Sequence, residues 1–124
     1  MQRIDIIVEA RMTSKRLPKK VALKILGKPI LELMIERLKK IKSANNIIIA
    51  TTTNSIDNRI EKIAIDNNVL CFRGSENDVL KRVLLAAENN KTDIIVEITG
   101  DNPLIDFKIF NQIIEFFINN QCKY

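Results

Sequence analysis

Ile4-Asp5-Ile6-Ile7-Val8 runs almost directly into Ala10-Arg11-Met12-Thr13-Ser14-Lys15-Arg16-Leu17-Pro18-Lys19-Lys20. The first segment is short and β-branched, so it reads as a buried strand. The second holds Arg11, Lys15, Arg16, Lys19 and Lys20, with two hydroxyls among them. Such cations repel one another unless something anionic sits between them. Open α/β sheets bind ligands outside the carboxyl ends of their strands, where the usual anion is a ligand phosphate. Charge alone leaves two readings open: a solvated loop that serves solubility, or an anion site.

The rest of the chain alternates between the same two periods. Apolar β-branched runs at 46–52, 69–72 and 93–99 predict three further strands. Ile30, Leu31, Met34, Ile35, Leu38 and Ile41 recur at helical spacing, which predicts an amphipathic helix over 29–42. Ser55 or Asn54 caps a second helix, with Asp57 in its first turn and Ile56, Ile60, Ile63 and Ala64 inward. A third helix is expected over 76–90, with Val79, Leu80, Val83, Leu84 and Ala87 inward. A fourth is expected over 106–119, with Ile109, Phe110, Ile113, Ile114 and Phe117 inward. Residues 21–26 read as a short extended piece closed by Gly27. Four strand–helix alternations imply an α/β fold, a mostly parallel sheet with flanking helices.

Bulk properties narrow the function. The 124 residues suit one domain, and 46% hydrophobic with 28% charged residues is ordinary for a globular chain. The net charge of +5 suits a polyanionic partner. The chain has no His, so His-dependent triads are excluded, and so are metal sites built on Cys and His. Cys71 and Cys122 lie far apart with no CxxC, which fits reduced thiols in the cytoplasm. With three glycines there is no GxGxxG and no GxxxxGK[ST], so neither a dinucleotide fingerprint nor a Walker loop is present. No apolar run has the length of a membrane helix, and no signal-peptide pattern opens the chain. Aromatics are too few to offer much base stacking, which disfavours a nucleic-acid-binding domain.

Three further polar clusters fall at strand ends or a helix start. Thr99-Gly100-Asp101-Asn102-Pro103-Leu104-Ile105 places one carboxylate on the same sheet edge as the basic loop. Asp101 there suits either a turn that bonds its own backbone or a Mg²⁺ site completed by phosphate and water. Phe72-Arg73-Gly74-Ser75 precedes the third helix, where Ser75 reads most simply as a cap. Gly27-Lys28-Pro29 reads as a turn into a helix.

Taken in order, these motifs resemble the cytidylyltransferases that activate acidic or modified sugars. The nearest branch is the spore-coat-polysaccharide-biosynthesis type, with the 3-deoxy-manno-octulosonate and acylneuraminate enzymes as cousins. The resemblance rests on Ala10 to Ser14 with Arg16-Leu17-Pro18 and Lys20, on Gly27-Lys28-Pro29-Ile30-Leu31, on Ile49-Ala50-Thr51-Thr52-Thr53-Asn54, and on the motifs around Arg73 and Asp101. It implies a Rossmann-like fold of the nucleotide-diphospho-sugar transferase type. It also implies transfer of CMP from CTP to a sugar with release of pyrophosphate, in surface polysaccharide biosynthesis. Arg11, Lys20 and Asp101 would be catalytic, and Asp101 would bind Mg²⁺. Ala10, Arg11, Ser14, Arg16, Lys20, Thr51, Arg73 and Ser75 would bind the nucleotide.

The sequence departs from that pattern at three points. Lys19 stands where Gly is usual and Glu9 where Gln is common. Family members are also much longer, and their second half usually carries a second acidic metal ligand, much of the sugar pocket and the dimer contacts. Residues 1–124 are therefore expected to be a truncated, nucleotide-binding half-domain of a homo-oligomeric parent, with no nucleic-acid or membrane partner. A catalytically silent nucleotide-binding module is the alternative.

Overall fold

The computed structural model describes residues 1–120; Cys122 lies outside them. The strands are β1 (Ile4–Glu9), β4 (Asn46–Thr52), β5 (Leu70–Gly74) and β6 (Ile94–Thr99), with a small hairpin of β2 (Lys24–Ile25) and β3 (Lys28–Pro29). The helices are α1 (Ile30–Leu38), α2 (Asn58–Asp66), α3 (Val79–Asn89) and α4 (Phe107–Asn119). The main sheet has the order β5-β4-β1-β6 and every pair in it is parallel. This is the expected α/β architecture.

The two faces of the sheet are covered unequally. Ile4, Ile6 and Val8 of β1, with Ile47 and Ile49 of β4, face one core shared with α1, α2 and Ile114 of α4. Ile7, Ile48 and Ala50 face a second core built with Val83, Ala86 and Ala87 of α3. On the α3 side, β6 presents Ile95, Glu97 and Thr99 to solvent. β6 is also an edge strand among the described residues.

Several local expectations are corrected. Residues 21–26 are not one extended piece. A 3-10 turn (Lys20–Ala22) leads into the β2–β3 hairpin. Leu26 and Gly27 at its tip both have positive φ, 51° and 83°, as a two-residue type I′ turn requires. Asp78, not Ser75, caps α3, accepting from Lys81 N–H at 2.9 Å. Leu80 and Leu84 are 75% and 48% exposed, because α3 turns the smaller Ala86 and Ala87 to the sheet and so approaches it closely. In α4 only Ile114 is buried, while Ile109 and Ile113 are more than half exposed. No described element lies beyond β6 for that flank of α4 to cover.

A buried carboxylate fixes the amino-terminal edge of the sheet. Asp5 accepts hydrogen bonds from Asn46 Nδ2 at 2.8 Å, Thr92 Oγ1 at 2.6 Å and Arg3 Nε at 3.2 Å. It thus ties β1 to the starts of both neighbouring strands. Asp5→Ala leaves these donors without their acceptor, and about 2–3 kcal/mol of stability is expected to be lost. Urea denaturation measures this. Ligand binding at the opposite edge of the sheet should be unaffected in the folded fraction.

Candidate functional site

Strand order locates the site before any side chain is considered. From β1 the chain moves to β4 and β5 on one side, then crosses back to β6 on the other side of β1. The order therefore reverses at β1, and the crevice outside its carboxyl end is the expected ligand position in such a sheet. A cavity of about 320 Å³ opens there. One wall is the loop after β1, another is Thr99-Gly100-Asp101 after β6, and α3 supplies Val79 and Arg82. Gly100 lets the two strand ends meet: a Cβ there would lie 2.8 Å from Ala10 Cβ and 2.9 Å from the Glu9 carbonyl oxygen.

The charge around this cavity is lopsided. Arg11, Lys15, Arg16, Lys20 and Arg82 face it against only two carboxylates, Glu9 and Asp101. Lys20 Nζ lies 2.6 Å from Asp101 Oδ2. That ammonium, and to a lesser degree Thr99, holds the Asp101 carboxyl below its ordinary range, so it is ionised at neutral pH. Glu9 moves the other way. Partial burial raises it first and the neighbouring Glu97 adds to this, while Arg82 and Arg11 oppose.

The basic loop is held by a second buried carboxylate, Asp57. Its Oδ1 accepts from Met12 N–H at 2.8 Å, and its Oδ2 accepts from the Thr52 hydroxyl. Met12 is buried, and its carbonyl accepts from Ser14 N–H at 3.1 Å and Lys19 N–H at 2.8 Å, so the loop folds about this residue. Lys19 sits there at φ 61°, a left-handed conformation that glycine adopts more easily.

Of the residues singled out from sequence, Ala10, Arg11, Ser14, Arg16, Lys20 and Asp101 all line the cavity. Thr51, Arg73 and Ser75 are not in its lining. Thr51 is fully buried at the end of β4, with a hydroxyl that has no protein partner. Arg73 clasps the turn after β4: Nε donates to the Thr52 carbonyl, Nη2 to the Asn54 carbonyl and Nη1 to Asn58 Oδ1, each at 2.7 Å. That turn carries Asp57, so Arg73 braces the loop's anchor. Ser75 Oγ accepts from Asp78 N–H at 3.1 Å, and its carbonyl accepts from Arg82 Nη1 at 2.9 Å.

Sequence reading gave Asp57 only a helix-start role and passed over Arg82. The signal for Arg82 was present: it falls on the same helical face as Val79, Val83 and Ala86, a cation inside an apolar stripe. For Asp57 there was none, because Met12 is 45 residues away in sequence.

The parallel sheet with helices on both faces is a Rossmann-like fold, shared with solved nucleotidyltransferases. Residues 6–124 match the cytidylyltransferase family, and the chain belongs to it. A solved cytidylyltransferase from Leptospira borgpetersenii superposes with a TM-score of 0.94 at 45% identity, covering 98% of this chain and 51% of that one. Spore coat polysaccharide biosynthesis protein SpsF of Bacillus subtilis is 32% identical, the match taking in 100% of this chain and 53% of SpsF. A 3-deoxy-manno-octulosonate cytidylyltransferase of Vesicomyosocius okutanii is also 32% identical, over 96% of this chain and 49% of that enzyme. The chain thus spans about half the length of the relatives it matches.

Two outcomes follow from the carboxylates. Asp57→Ala leaves Met12 N–H and the Thr52 hydroxyl unpaired, which is expected to cost about 2–3 kcal/mol and to weaken any ligand held by the loop. Asp57→Asn keeps an acceptor for Met12 and should lose less on both counts; chemical denaturation and a binding titration read the two effects.

Glu9 binds its proton more tightly when the protein is folded, so its contribution to stability falls as pH rises through its raised pKa. Glu9→Gln is therefore expected to melt higher than the wild type at pH 7. The difference should close below the ordinary carboxylate range. A gap independent of pH would remove Glu9 as its source.

Proposed function

We propose that the chain is the nucleotide-binding half of an enzyme that transfers CMP from CTP to a sugar, releasing pyrophosphate, in surface polysaccharide biosynthesis. The observation that carries this reading is the cavity at the strand-order reversal, where five cations face Asp101. Five cations in one concavity suit a compact polyanion such as a triphosphate better than an extended nucleic acid, whose backbone calls for a charged stripe. Family membership and the relatives' names supply the cytidylyl group and the sugar.

In this reading Arg11 and Lys20 hold the triphosphate, with Ser14, Arg16 and the Ala10 backbone beside it. They stabilise the charge that develops on the α-phosphate and on departing pyrophosphate. Thr51, Arg73 and Ser75 support the nucleotide from the β4 and β5 ends. For Arg73 the route is bracing: its three hydrogen bonds hold the turn that anchors the basic loop.

Asp101 suits Mg²⁺ in its chemistry, being an ionised oxygen ligand at the cavity rim. The described residues hold no cluster of three or more acidic, Cys or His side chains. A single carboxylate is enough where phosphates and water complete the shell. When bound, Mg²⁺ would neutralise phosphate charge. Asp101, whose carboxylate is paired with Lys20 in the free protein, would hold the metal, and the Lys20 ammonium would be at hand for phosphate. The Lys20–Asp101 pair is partly exposed and so contributes only about 1 kcal/mol or less.

The reading includes a cytoplasmic location and homodimeric assembly. The described residues contain no helix long and apolar enough to cross a membrane. Half the length of the relatives leaves a second reading, a module that binds nucleotide without turnover.

Thermal melts with CTP and Mg²⁺ test the binding claim, since a ligand of the folded state raises Tm. Arg11→Ala and Lys20→Ala should abolish the shift with little change in the unliganded melt. Asp101→Asn should abolish its Mg²⁺ dependence. A full shift in both cation variants would refute the phosphate assignment. A pyrophosphate-release assay with a panel of acidic sugars separates enzyme from silent module.

A further inference from the structure

Arg82 is the most buried cation in the described chain, 1% exposed, yet it lines the cavity. Its stem rises from α3, which supplies part of the cavity wall. Room for it is made by Gly74, whose added Cβ would come within 3.3 Å of Arg82 Cγ. One hydrogen bond accounts for part of the guanidinium: Nη1 donates to the Ser75 carbonyl at 2.9 Å. Nε is buried with no partner at all. No carboxylate of the described residues lies within ion-pair distance of it. Glu9, Asp57 and Glu76 influence it only at longer range, and Arg11 repels it.

A buried guanidinium with an idle N–H and no counter-ion is costly. Structural arginines in protein interiors are normally saturated by carbonyls and carboxylates, as Arg73 is here. Arg82 differs from Arg73 in that it lines an open cavity while its buried Nε lacks a partner. Its neighbour in that wall, Val79, is one turn away on the same helix and offers no hydrogen bond.

We infer that Arg82 is a further ligand-binding residue of this cavity, donating from the α3 wall to an acceptor oxygen of the bound nucleotide. The inference rests on the nucleotide reading of the site and adds to it a contact from outside the strand-end motifs. Two oxygens could fill the role, a phosphate oxyanion or the carbonyl of a pyrimidine base. Both complete the same guanidinium, and the bound ligand would then contact both the basic loop and α3.

Titration calorimetry on the folded protein tests this with three probes: CTP, inorganic pyrophosphate and cytidine. Arg82→Gln keeps a polar side chain, two bonds shorter, without the charge, and Arg82→Lys keeps the charge. Loss of a charge-assisted hydrogen bond corresponds to about a tenfold to hundredfold weakening for CTP in the Gln variant, with partial recovery in the Lys variant. The same loss for pyrophosphate assigns the contact to phosphate, and the same loss for cytidine assigns it to the base. If Arg82 only braces the Ser75 carbonyl, both variants will melt lower while the folded fraction binds CTP like the wild type, and the inference fails. Should Arg82→Gln not fold, the Lys variant decides, because its ammonium cannot reproduce the fork and should still bind CTP less tightly. A wild type that binds none of the three probes overturns the nucleotide reading itself, and the Arg82 inference with it.

Discussion

The carboxyl edge of the sheet depends on one buried carboxylate. Asp57 takes the Met12 N–H on one oxygen and the Thr52 hydroxyl on the other, and so locks the loop after β1 to the end of β4. The loop it holds carries Arg11, Lys15, Arg16, Lys19 and Lys20, whose mutual repulsion would otherwise spread them into solvent. Arg73 supports Asp57 from below by clasping the same turn. A cationic loop stays concave because a neutral backbone hydrogen bond to a buried acid holds it, and no charge of the loop itself is consumed in doing so.

The charge left over is what makes the cavity a binding site. Lys20 is balanced by Asp101 at the rim, and Glu9 is pressed toward its neutral form by burial and by Glu97. Arg82, at the α3 wall, makes no ion pair and feels Glu9 only at longer range. The free cavity therefore holds more positive charge than it can compensate internally. A polyanion binding there would relieve that imbalance and complete the hydrogen bonding of a buried group at once.

The sheet is finished on one face and open on the other. Three helices cover one side, while α3 alone covers the other and leaves Ile95, Glu97 and Thr99 of β6 in water. Leu80, Ile109, Ile113 and Phe116 are each more than half exposed. The cavity, by contrast, is walled by β1, β6 and α3, all within the described chain.

The local elements were legible in the sequence because they follow from periodicity, which is a property of neighbours. The β-branched runs gave the four strands, and the helical spacing of Leu31, Met34, Ile35 and Leu38 gave α1. The motifs at strand ends pointed to six residues that do line the cavity, since a strand end is defined locally and parallel strands send their ends to one edge. Periodicity could not say which apolar flank of α3 or α4 meets the sheet. Leu80, Leu84, Ile109 and Ile113 satisfy the helical spacing and still face water, because sheet width and strand order decide what there is to cover. Nor could it pair Asp57 with Met12, or show that Arg82 lies buried and half-used behind the cavity. Hydrogen bonds between residues far apart in sequence exist only once the fold has excluded water from between them, so tertiary structure alone decided these contacts.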